Sequence, residues 1–281
     1  MDQNKKRETE IFACRMRRNI IEQVFNAQSG HPGGSLSSAD VLAVLYNVEL
    51  KVDPSDPAWP ERDRFVLSKG HCTPALYAAL AQKGFFPEED LSGFRQIHSY
   101  LQGHPSMRSV PGVDMSTGSL GQGISASVGM AMMGKLDEKD YRVYALLGDG
   151  ELQEGEVWEA FMAGAHYKLD NLTAFLDHNG LQIDGDIKEV MNPENVCEKF
   201  AAFGWNVINI DGHDLDAIYD AIRQAKACKG KPTVVVCETH KGQGVSFMKD
   251  QYGWHGSAPK QEQRDQAIAE IDAEMARLQE V

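Results

Sequence analysis

The sequence predicts an α/β fold with a doubly wound, mostly parallel sheet and helices on both faces. Three short runs are almost continuously apolar, the pattern of strands that are buried on both faces; they span residues 144–147, 172–176 and 233–237. Segments with helical periodicity lie between them, which favours parallel strands joined by crossover helices. Hydrophobic residues make up 42% of the 281 positions, enough for a sizeable core. No repeat or low-complexity linker divides the chain, so we expect one domain over residues 1–281.

The N-terminal half of the chain is predicted to be mainly helical. Residues 8–28 are charged and amphipathic, which indicates a long first helix. Ser37 or Ser38 is placed to cap a second helix that runs through residues 41–45. The next two predicted elements are a short strand at residues 63–68 and a helix at residues 73–82.

The C-terminal half contains the predicted sheet and its covering helices. Residues 120–136 are rich in Gly, Ser, Ala and Met, so we expect a buried helix whose small residues permit close packing. Residues 205–210 indicate a fourth strand that is partly polar, and Pro232 opens the strand at 233–237 at a tolerated position. Further helical patterns lie at residues 155–168, 194–203, 214–228 and 260–279.

The charge balance excludes some classes of partner. The formal net charge is −13, whereas nucleic acids and anionic membranes are bound by basic surfaces, so we expect neither partner. The first residues are charged and lead into no apolar segment, and no apolar run is long enough to span a bilayer. The five cysteines are scattered and form no C-x-x-C pair, which favours a reducing cytoplasm.

Two polar residues follow two of the apolar strands and suggest a metal site. Asp149 comes after residues 144–147, and Asn179 comes after residues 172–176. Their carboxylate and amide oxygens suit Mg²⁺ or Ca²⁺, and the flanking glycines let backbone approach a phosphate closely. GDG followed about thirty residues later by Asn resembles the metal and diphosphate motif of thiamine-diphosphate enzymes. The alternative for GDG alone is an ordinary strand-to-loop turn.

Competing phosphate motifs are incomplete. The Gly148/Gly150 pair has Gln153 where the third glycine of a dinucleotide-binding turn should be. The run from Gly129 nearly matches a P-loop, but Leu136 replaces the required Ser or Thr and the run follows no strand.

Four of the nine histidines lie in turns rich in glycine or proline, and these are the histidine candidates for a functional site. They are His31, His71, His104 and His255. The remaining five are expected to be structural or on the surface; they are His98, His166, His178, His213 and His240.

The loops together resemble transketolase. In chain order they read SGHPGGSL, DRFVLSKGH, GHPS, STGSLGQG, GDGELQEGEVWEA, DHNGLQIDG, DGHD, THKGQG and WHGSAP, from about residue 29 to residue 259. Other thiamine-diphosphate enzymes share GDG and the later Asn but not the SGHPG, SKGH and WHG loops. The resemblance implies a thiamine-diphosphate-binding fold, and this chain corresponds to the diphosphate-binding domain.

The resemblance also implies the groups that hold the cofactor. The divalent metal, Mg²⁺ by default with Ca²⁺ or Mn²⁺ as substitutes, would be held by Asp149, Asn179 and the backbone carbonyl of Leu181. The groups implied to contact the diphosphate are His71, His255, Lys241 and the N–H of Gly150. The groups implied to line the thiamine are Gly118 and Leu120.

Catalytic roles follow from the same resemblance. The histidines implied to face the sugar and its developing oxyanion are His31, His71, His104 and His255. Glu154 would join a carboxylate network between the two cofactor sites of a dimer. The reaction implied is the transfer of a two-carbon ketol unit from a ketose phosphate to an aldose phosphate.

The resemblance implies a partner as well. A full-length transketolase is more than twice as long, and its second domain supplies a glutamate and an aromatic pocket for the aminopyrimidine, with residues for the substrate phosphate beyond. We therefore expect an N-terminal subunit that works with a C-terminal transketolase subunit, two copies of each, and that has no turnover alone.

Two alternatives remain for the function. One is a thiamine-diphosphate subunit of different specificity, related to 1-deoxyxylulose-phosphate synthase or to 2-oxo-acid dehydrogenases. The other is a non-catalytic subunit that supports the site of a partner. Nothing in the sequence identifies the donor ketose. Xylulose 5-phosphate is the default donor among sugar phosphates that the resemblance implies.

Overall fold

A computed structural model describes residues 1–280, and its centre is a parallel sheet of five strands. The strands of this sheet are β1 (Arg64–Leu67), β2 (Val143–Gly148), β3 (Leu172–His178), β6 (Asn206–Asp211) and β7 (Thr233–Glu238). Their spatial order is β1-β2-β3-β7-β6, and every neighbouring pair is parallel. A small antiparallel hairpin follows β3 and is formed by β4 (Leu181–Gln182) and β5 (Gly185–Asp186).

Ten α-helices of the described residues surround the sheet. Those before β2 are α1 (Gln3–Ala27), α2 (Pro32–Ser37), α3 (Ala39–Val44), α4 (Thr73–Lys83) and α5 (Gln122–Leu136). Those after β2 are α6 (Gly155–His166), α7 (Ile187–Met191), α8 (Val196–Ala202), α9 (Leu215–Ala227) and α10 (Gln261–Glu280). Within residues 1–280, no helix combines the length and the apolar character needed to cross a membrane.

The two faces of the sheet bury alternate residues of each strand in separate cores. Tyr144 and Leu146 pack with helices α1, α3, α4 and α9 on one face. Ala145 and Leu147 pack with α5, α6 and α8 on the other. Each fully buried Leu contributes ~1.5–3 kcal/mol through removal of apolar surface from water. The predicted doubly wound sheet with helices on both faces is confirmed.

The partly polar strand of the sequence lies at an edge of the sheet. β6 pairs only with β7, and its residues are half-buried or exposed. An edge strand needs apolar side chains over less of its surface, which explains why this strand reads as polar while β3 and β7 read as continuous apolar runs.

The predicted serine cap of the second helix is wrong. Ser38 occupies the position before α3, but its hydroxyl donates to the carbonyl of Gly34 at 2.6 Å. The hydroxyl of Ser37 donates to the buried carboxylate of Asp177 at 2.7 Å. The short helix α2 ends directly before α3, so its own carbonyls are available to the serine.

The helix predicted to be buried exposes one face. Ile124, Val128 and Ala131 of α5 are buried, whereas Met133 is 49% exposed and Leu136 is 74% exposed. The apolar composition therefore predicts the helix correctly, but it does not show that only one side of the helix packs on the sheet and on α6.

Candidate active site

A cavity of about 300 Å³ lies at the carboxyl ends of β2 and β3. In the sheet register, Gly148 at the end of β2 is level with Asp177 near the end of β3, so the loops that follow both strands meet. This is the edge at which parallel sheets bind ligands. The predicted site residues that line the cavity are His31, His71, Gly118, Leu120, Asp149, Gly150, Glu154, Asn179, Leu181, Lys241 and His255.

Asp149 is held firmly by backbone donors. Its carboxylate accepts hydrogen bonds from the N–H of Gly150 at 2.8 Å and from the N–H of Gly180 at 2.6 Å. Only 2% of the residue is exposed. Burial and then the nearby charge of Asp177 raise the pKa of Asp149 to about 6. A cation beside this carboxylate would favour its ionised form.

Asn179 presents its amide oxygen to the cavity because its amide nitrogen is engaged elsewhere. The Nδ2 group donates to Asp177 at 2.9 Å. Oδ1 accepts from the N–H of Leu181 at 3.2 Å. The two bonds fix the orientation that a metal-binding amide requires.

The position of the Lys241 ammonium group indicates that these oxygens suit a cation. Nζ lies 3.0 Å from the carbonyl oxygen of Leu181 and 3.4 Å from Oδ1 of Asn179. Two of the three oxygens predicted to hold the metal thus already face a positive charge, and all three are hard oxygen donors. Among residues 1–280, no group of three or more His, Cys, Asp or Glu side chains could hold a metal. A metal here would therefore need amide and carbonyl oxygens in addition to Asp149.

Three histidines that line the same cavity form a compact cluster. The ring centroids of His31 and His71 are 5.0 Å apart, those of His71 and His255 are 5.2 Å apart, and those of His31 and His255 are 5.5 Å apart. Nδ1 of His31 and Nδ1 of His255 are buried with no hydrogen-bond partner in the described chain. Such groups are suited to a ligand that supplies the missing partners.

All three histidines of this cluster are neutral at neutral pH. Burial, and then the charge of Arg95, lower the pKa of His31 to about 4. Burial, and then Lys241, lower the pKa of His255 to about 3. Burial, and then Lys69, hold the pKa of His71 well below its usual value. Each neutral ring carries one N–H donor and one acceptor nitrogen, which is the state needed to move a proton.

His104 lies outside this cavity. It lines a second cavity of about 380 Å³ together with Ser29 and Arg95. A Cβ atom at Gly118 would lie 2.7 Å from Cδ2 of His104, so the ring packs directly against the backbone at Gly118. His104 therefore lies beside Gly118 and is not among the residues that line the main cavity, and its role stays a prediction.

Glu154 lies at the exposed rim of the main cavity, at the position before α6. Within residues 1–280 its carboxylate makes no hydrogen bond, so it is accessible to a group from outside the chain. The histidines expected to be structural, His98, His166, His178, His213 and His240, do not line this cavity.

The sequence comparison decides the family. The model of a family described as transketolase, thiamine diphosphate binding domain, matches residues 9–275. The chain belongs to the transketolase family.

Known transketolases resemble the chain over nearly its whole length. The 6-deoxy-6-sulfo-D-fructose transketolase subunit SqwG of Clostridium sp. (strain MSTE9) is 46% identical, with 93% of this chain and 95% of that protein covered. One subunit of the apulose-4-phosphate transketolase of Phocaeicola vulgatus is 42% identical, with 96% of each chain covered. The solved transketolase of Leishmania mexicana is 32% identical, with a TM-score of 0.85 over 97% of this chain and 46% of that chain. The chain thus spans less than half the length of that enzyme, and the resemblance drawn from the loops is confirmed.

The buried ion pair of Lys69 and Asp177 in this transketolase domain was not among the predicted site residues. Lys69 and Asp177 are each 2% exposed, and Nζ of Lys69 donates to Oδ2 of Asp177. Asp177 also accepts from Ser37 and Asn179, and from the hydroxyl of Thr239. Burial would raise the pKa of Asp177, but the charge of Lys69 and the hydrogen bonds from Lys69, Thr239 and Ser37 together outweigh burial and lower that pKa to about 2. This ionised carboxylate orients Asn179.

Glu151 is a second residue without a predicted role. Its buried carboxylate accepts from the N–H of Gly121 at 2.9 Å and the N–H of Gly148 at 3.1 Å, and also from the hydroxyl of Ser68. It therefore joins the STGSLGQG, SKGH and GDG loops of the transketolase site. Both Lys69 and Glu151 stand inside motifs that the sequence shows, but a charged residue beside glycines gives no sign that it will be buried.

Proposed function

We propose that the chain is the N-terminal subunit of a two-polypeptide transketolase, which transfers a two-carbon ketol unit from a ketose phosphate to an aldose phosphate. The observation that carries the proposal is the meeting of three hard oxygens with three neutral, half-buried histidines in one cavity. The oxygens are those of Asp149, Asn179 and Leu181. An anionic, metal-bound cofactor and a proton-transferring sugar site need these two sets side by side.

Asp149, Asn179 and the carbonyl of Leu181 would hold the divalent metal, which we propose to be Mg²⁺. Three protein oxygens leave three positions of an octahedron for diphosphate oxygens and water. Lys241, 3% exposed, would neutralise the diphosphate together with the metal. The rings of His71 and His255 would donate hydrogen bonds to the diphosphate, each worth ~1.5–3 kcal/mol to a charged acceptor. The N–H of Gly150 donates to Asp149 in this structure and would have to leave that carboxylate to join them.

Bound thiamine diphosphate would supply the electron sink for cleavage of the carbon–carbon bond beside the ketone. The thiamine would lie against Gly118 and Leu120, which line the same cavity. His31 and His255 would donate to the sugar oxygen that gains negative charge and would take up or release its proton. His104, whose ring packs against Gly118, would also face the sugar.

A C-terminal partner subunit is the second part of the proposal. Two relatives that match over 95% and 96% of their own length carry the word subunit in their names. The exposed Met133 of α5 and Met162 of α6 lie on adjoining helices and offer a contact surface for an assembly with two copies of each subunit. Glu154, which is exposed at the rim of the cavity, would join the carboxylate network between the two cofactor sites in this assembly. The cytoplasm is the proposed location, which the scattered, unpaired cysteines favour.

The donor sugar has two candidates. Xylulose 5-phosphate is the default donor of the family resemblance. The relative that is 46% identical is named for 6-deoxy-6-sulfo-D-fructose, which makes this sulfonated ketose the second candidate.

A transfer assay with Mg²⁺ and thiamine diphosphate tests the proposal. Ribose 5-phosphate is the acceptor, each candidate ketose is a donor, and pyruvate represents 2-oxo acids. The tagged chain is assayed alone and after co-purification with its native partners. Transfer from a ketose only in the co-purified sample supports the proposal, and the active donor identifies the substrate. Strong transfer by the chain alone, or activity only with pyruvate, would overturn it.

The Asp149→Ala variant tests the non-catalytic alternative. If the chain holds the cofactor, the variant assembly should lose thiamine-diphosphate binding and transfer together. Asp140→Ala, which alters an exposed aspartate, is the matched control and should keep both. Full transfer by the Asp149→Ala assembly would favour a subunit that merely supports the site of its partner.

A further inference from the structure

A buried cluster of charged and polar side chains lies outside the candidate active site. It consists of Arg17 on α1, Asp40 on α3 and His213 in the turn between β6 and α9, and is called the buried trio below. Oδ2 of Asp40, a residue that is 5% exposed, lies 2.5 Å from Nη2 of Arg17 and 2.7 Å from Nδ1 of His213. None of the three lines the cofactor cavity.

Both arms of the buried trio end on the backbone of one loop, residues 239–244. Nε2 of His213 accepts from the backbone N–H of His240 at 2.9 Å, so the proton of the neutral ring is on Nδ1 and is donated to Asp40. Nε of Arg17 donates to the carbonyl of Gln243 at 3.3 Å. The ring of His240 stacks on that of His213, with centroids 5.8 Å apart and planes 7° apart.

Lys241 lies between these two anchor points. The loop has no helix or strand of its own, so its conformation depends on such individual contacts. Further backbone bonds help, among them those from Thr239 N–H to the carbonyl of His178 at 3.2 Å, from Gly242 N–H to the carbonyl of Gly33 at 3.0 Å and from Asp250 N–H to the carbonyl of Lys241 at 2.8 Å. A shift of the loop would move Lys241, whose Nζ lies 3.0 Å from the carbonyl of Leu181 in this structure, away from the proposed diphosphate site.

We propose that Arg17, Asp40 and His213 are positioning residues that fix the 239–244 loop and thereby aim Lys241 at the diphosphate. The inference rests on the proposed role of Lys241 in cofactor binding. One buried carboxylate orients both an arginine and a histidine, and each of these fixes a different residue of the loop. The trio thus sets cofactor affinity from outside the cofactor cavity.

The test is a cycle of variants on the full chain, with thiamine diphosphate and Mg²⁺ as the probe and calorimetry as the measurement. His213→Asn keeps a donor toward Asp40 and removes the acceptor for His240. It should weaken cofactor binding about tenfold, because a displaced Lys241 would lose roughly one hydrogen bond to the charged diphosphate. Lys241→Met should weaken binding at least as much. The double variant should bind no more weakly than Lys241→Met, because the trio acts through Lys241.

Controls separate positioning from a general loss of structure. His98→Asn changes an exposed histidine and should leave the affinity unchanged. Arg17→Lys keeps the charge beside Asp40 but loses the fork that reaches Gln243, so a loss of about threefold is expected even if His213→Asn folds poorly. Thermal unfolding of each variant monitors folding.

The outcomes distinguish the two proposals. Unchanged binding by Lys241→Met would remove the proposed cofactor role of Lys241, and with it the inference. Weaker binding by Lys241→Met with unchanged binding by His213→Asn and Arg17→Lys would overturn the inference alone. Losses that multiply in the double variant would show that the trio acts independently of Lys241 and would also overturn it.

Discussion

His31, His71 and His255 are held neutral mainly because they are buried, and the cations Arg95, Lys69 and Lys241 add to this effect. A buried neutral histidine is an acid-sensitive element of the fold. Unfolding exposes the ring, which then takes up a proton at its ordinary pKa. The stability of the protein is therefore linked to the same side chains that are proposed to move protons.

The linkage predicts a pH-dependent stability with a defined sign. The pKa of His31 falls from 6.5 to about 4 on folding and that of His255 from 6.5 to about 3. Below pH 6.5 the unfolded chain binds more protons, so the contribution of each ring is present above that pH and is lost as the pH falls toward the folded pKa. Each proton contributes a slope of ~1.4 kcal/mol per pH unit inside its window.

The His31→Gln/His255→Gln variant should therefore lose less stability than the natural protein between pH 6.5 and pH 4. Denaturant unfolding at several pH values measures the slope for both proteins. His98→Gln, at an exposed position, should keep the natural slope. Identical slopes for the natural protein and the double variant would contradict the neutral, buried state of these rings.

Residues at the site were predictable where they follow a recognisable strand. Asp149 and Asn179 end apolar runs, and parallel neighbouring strands bring such ends together. Burial of charge was not predictable, because Lys69 and Asp177 stand next to glycines as exposed residues do. The position of His104 was not predictable either, since a Gly-His-Pro turn does not tell on which side of Gly118 the ring will pack.

The elements of the fold followed from apolar patterning more closely than from capping. β3 and β7 lie inside the sheet and are continuous apolar runs, so both were predicted with bounds close to those of the structure. The α2–α3 boundary was not predicted. Pro32–Ser37 forms a short helix, and the hydroxyl of Ser38 donates to the carbonyl of Gly34 in that helix instead of capping α3. Helix α5 was identified correctly, but its composition could not tell which face remains exposed.

We expect a defect in assembly when the exposed face of α5 and its neighbour α6 is mutated. Met133 is 49% exposed and Met162 is 61% exposed. The Met133→Glu/Met162→Glu variant would place two charges in an interface that is proposed to be apolar, and unpaired buried charges are strongly unfavourable. Sedimentation should show a smaller assembly or a weaker association with native partners.

Stability of the chain itself should be unaffected by these two substitutions, because surface changes are usually within about 0.5 kcal/mol. Met107→Glu, at a methionine that is 51% exposed and lies in a turn outside these two helices, is the matched control and should assemble normally. Unchanged sedimentation of the double variant would place the contacts between subunits elsewhere on the molecule.

The whole molecule is acidic, with a net charge of −13, yet its proposed cofactor is an anion. Binding is feasible because the fold concentrates the few favourable groups at the end of two strands. The buried Lys241 and the three oxygens proposed to hold the metal lie together there, while the acidic surface lies outside. The proposed metal would be central to this arrangement, since without it Asp149 and the buried Asp177 would repel the diphosphate.

Metal and cofactor should therefore stabilise the whole chain only together. At a free cofactor concentration about 100-fold above Kd, binding adds ~2.7 kcal/mol. For a chain of this size that corresponds to a rise in Tm of about 5 °C. Thermal scans with thiamine diphosphate and Mg²⁺ should show this rise, whereas thiamine diphosphate with EDTA, or Mg²⁺ with thiamine, should show little.

Asn179→Leu keeps the size of the side chain and removes the amide oxygen that faces the cavity, so it should abolish the rise in Tm. Asn4→Leu, at an exposed position of α1, is its control and should respond like the natural protein. A full rise in EDTA would mean that Lys241 and the histidines hold the diphosphate without a metal. A full rise in the Asn179→Leu variant would instead place the metal on other oxygens, and the pairing of Asp149 with Asn179 would no longer explain the site.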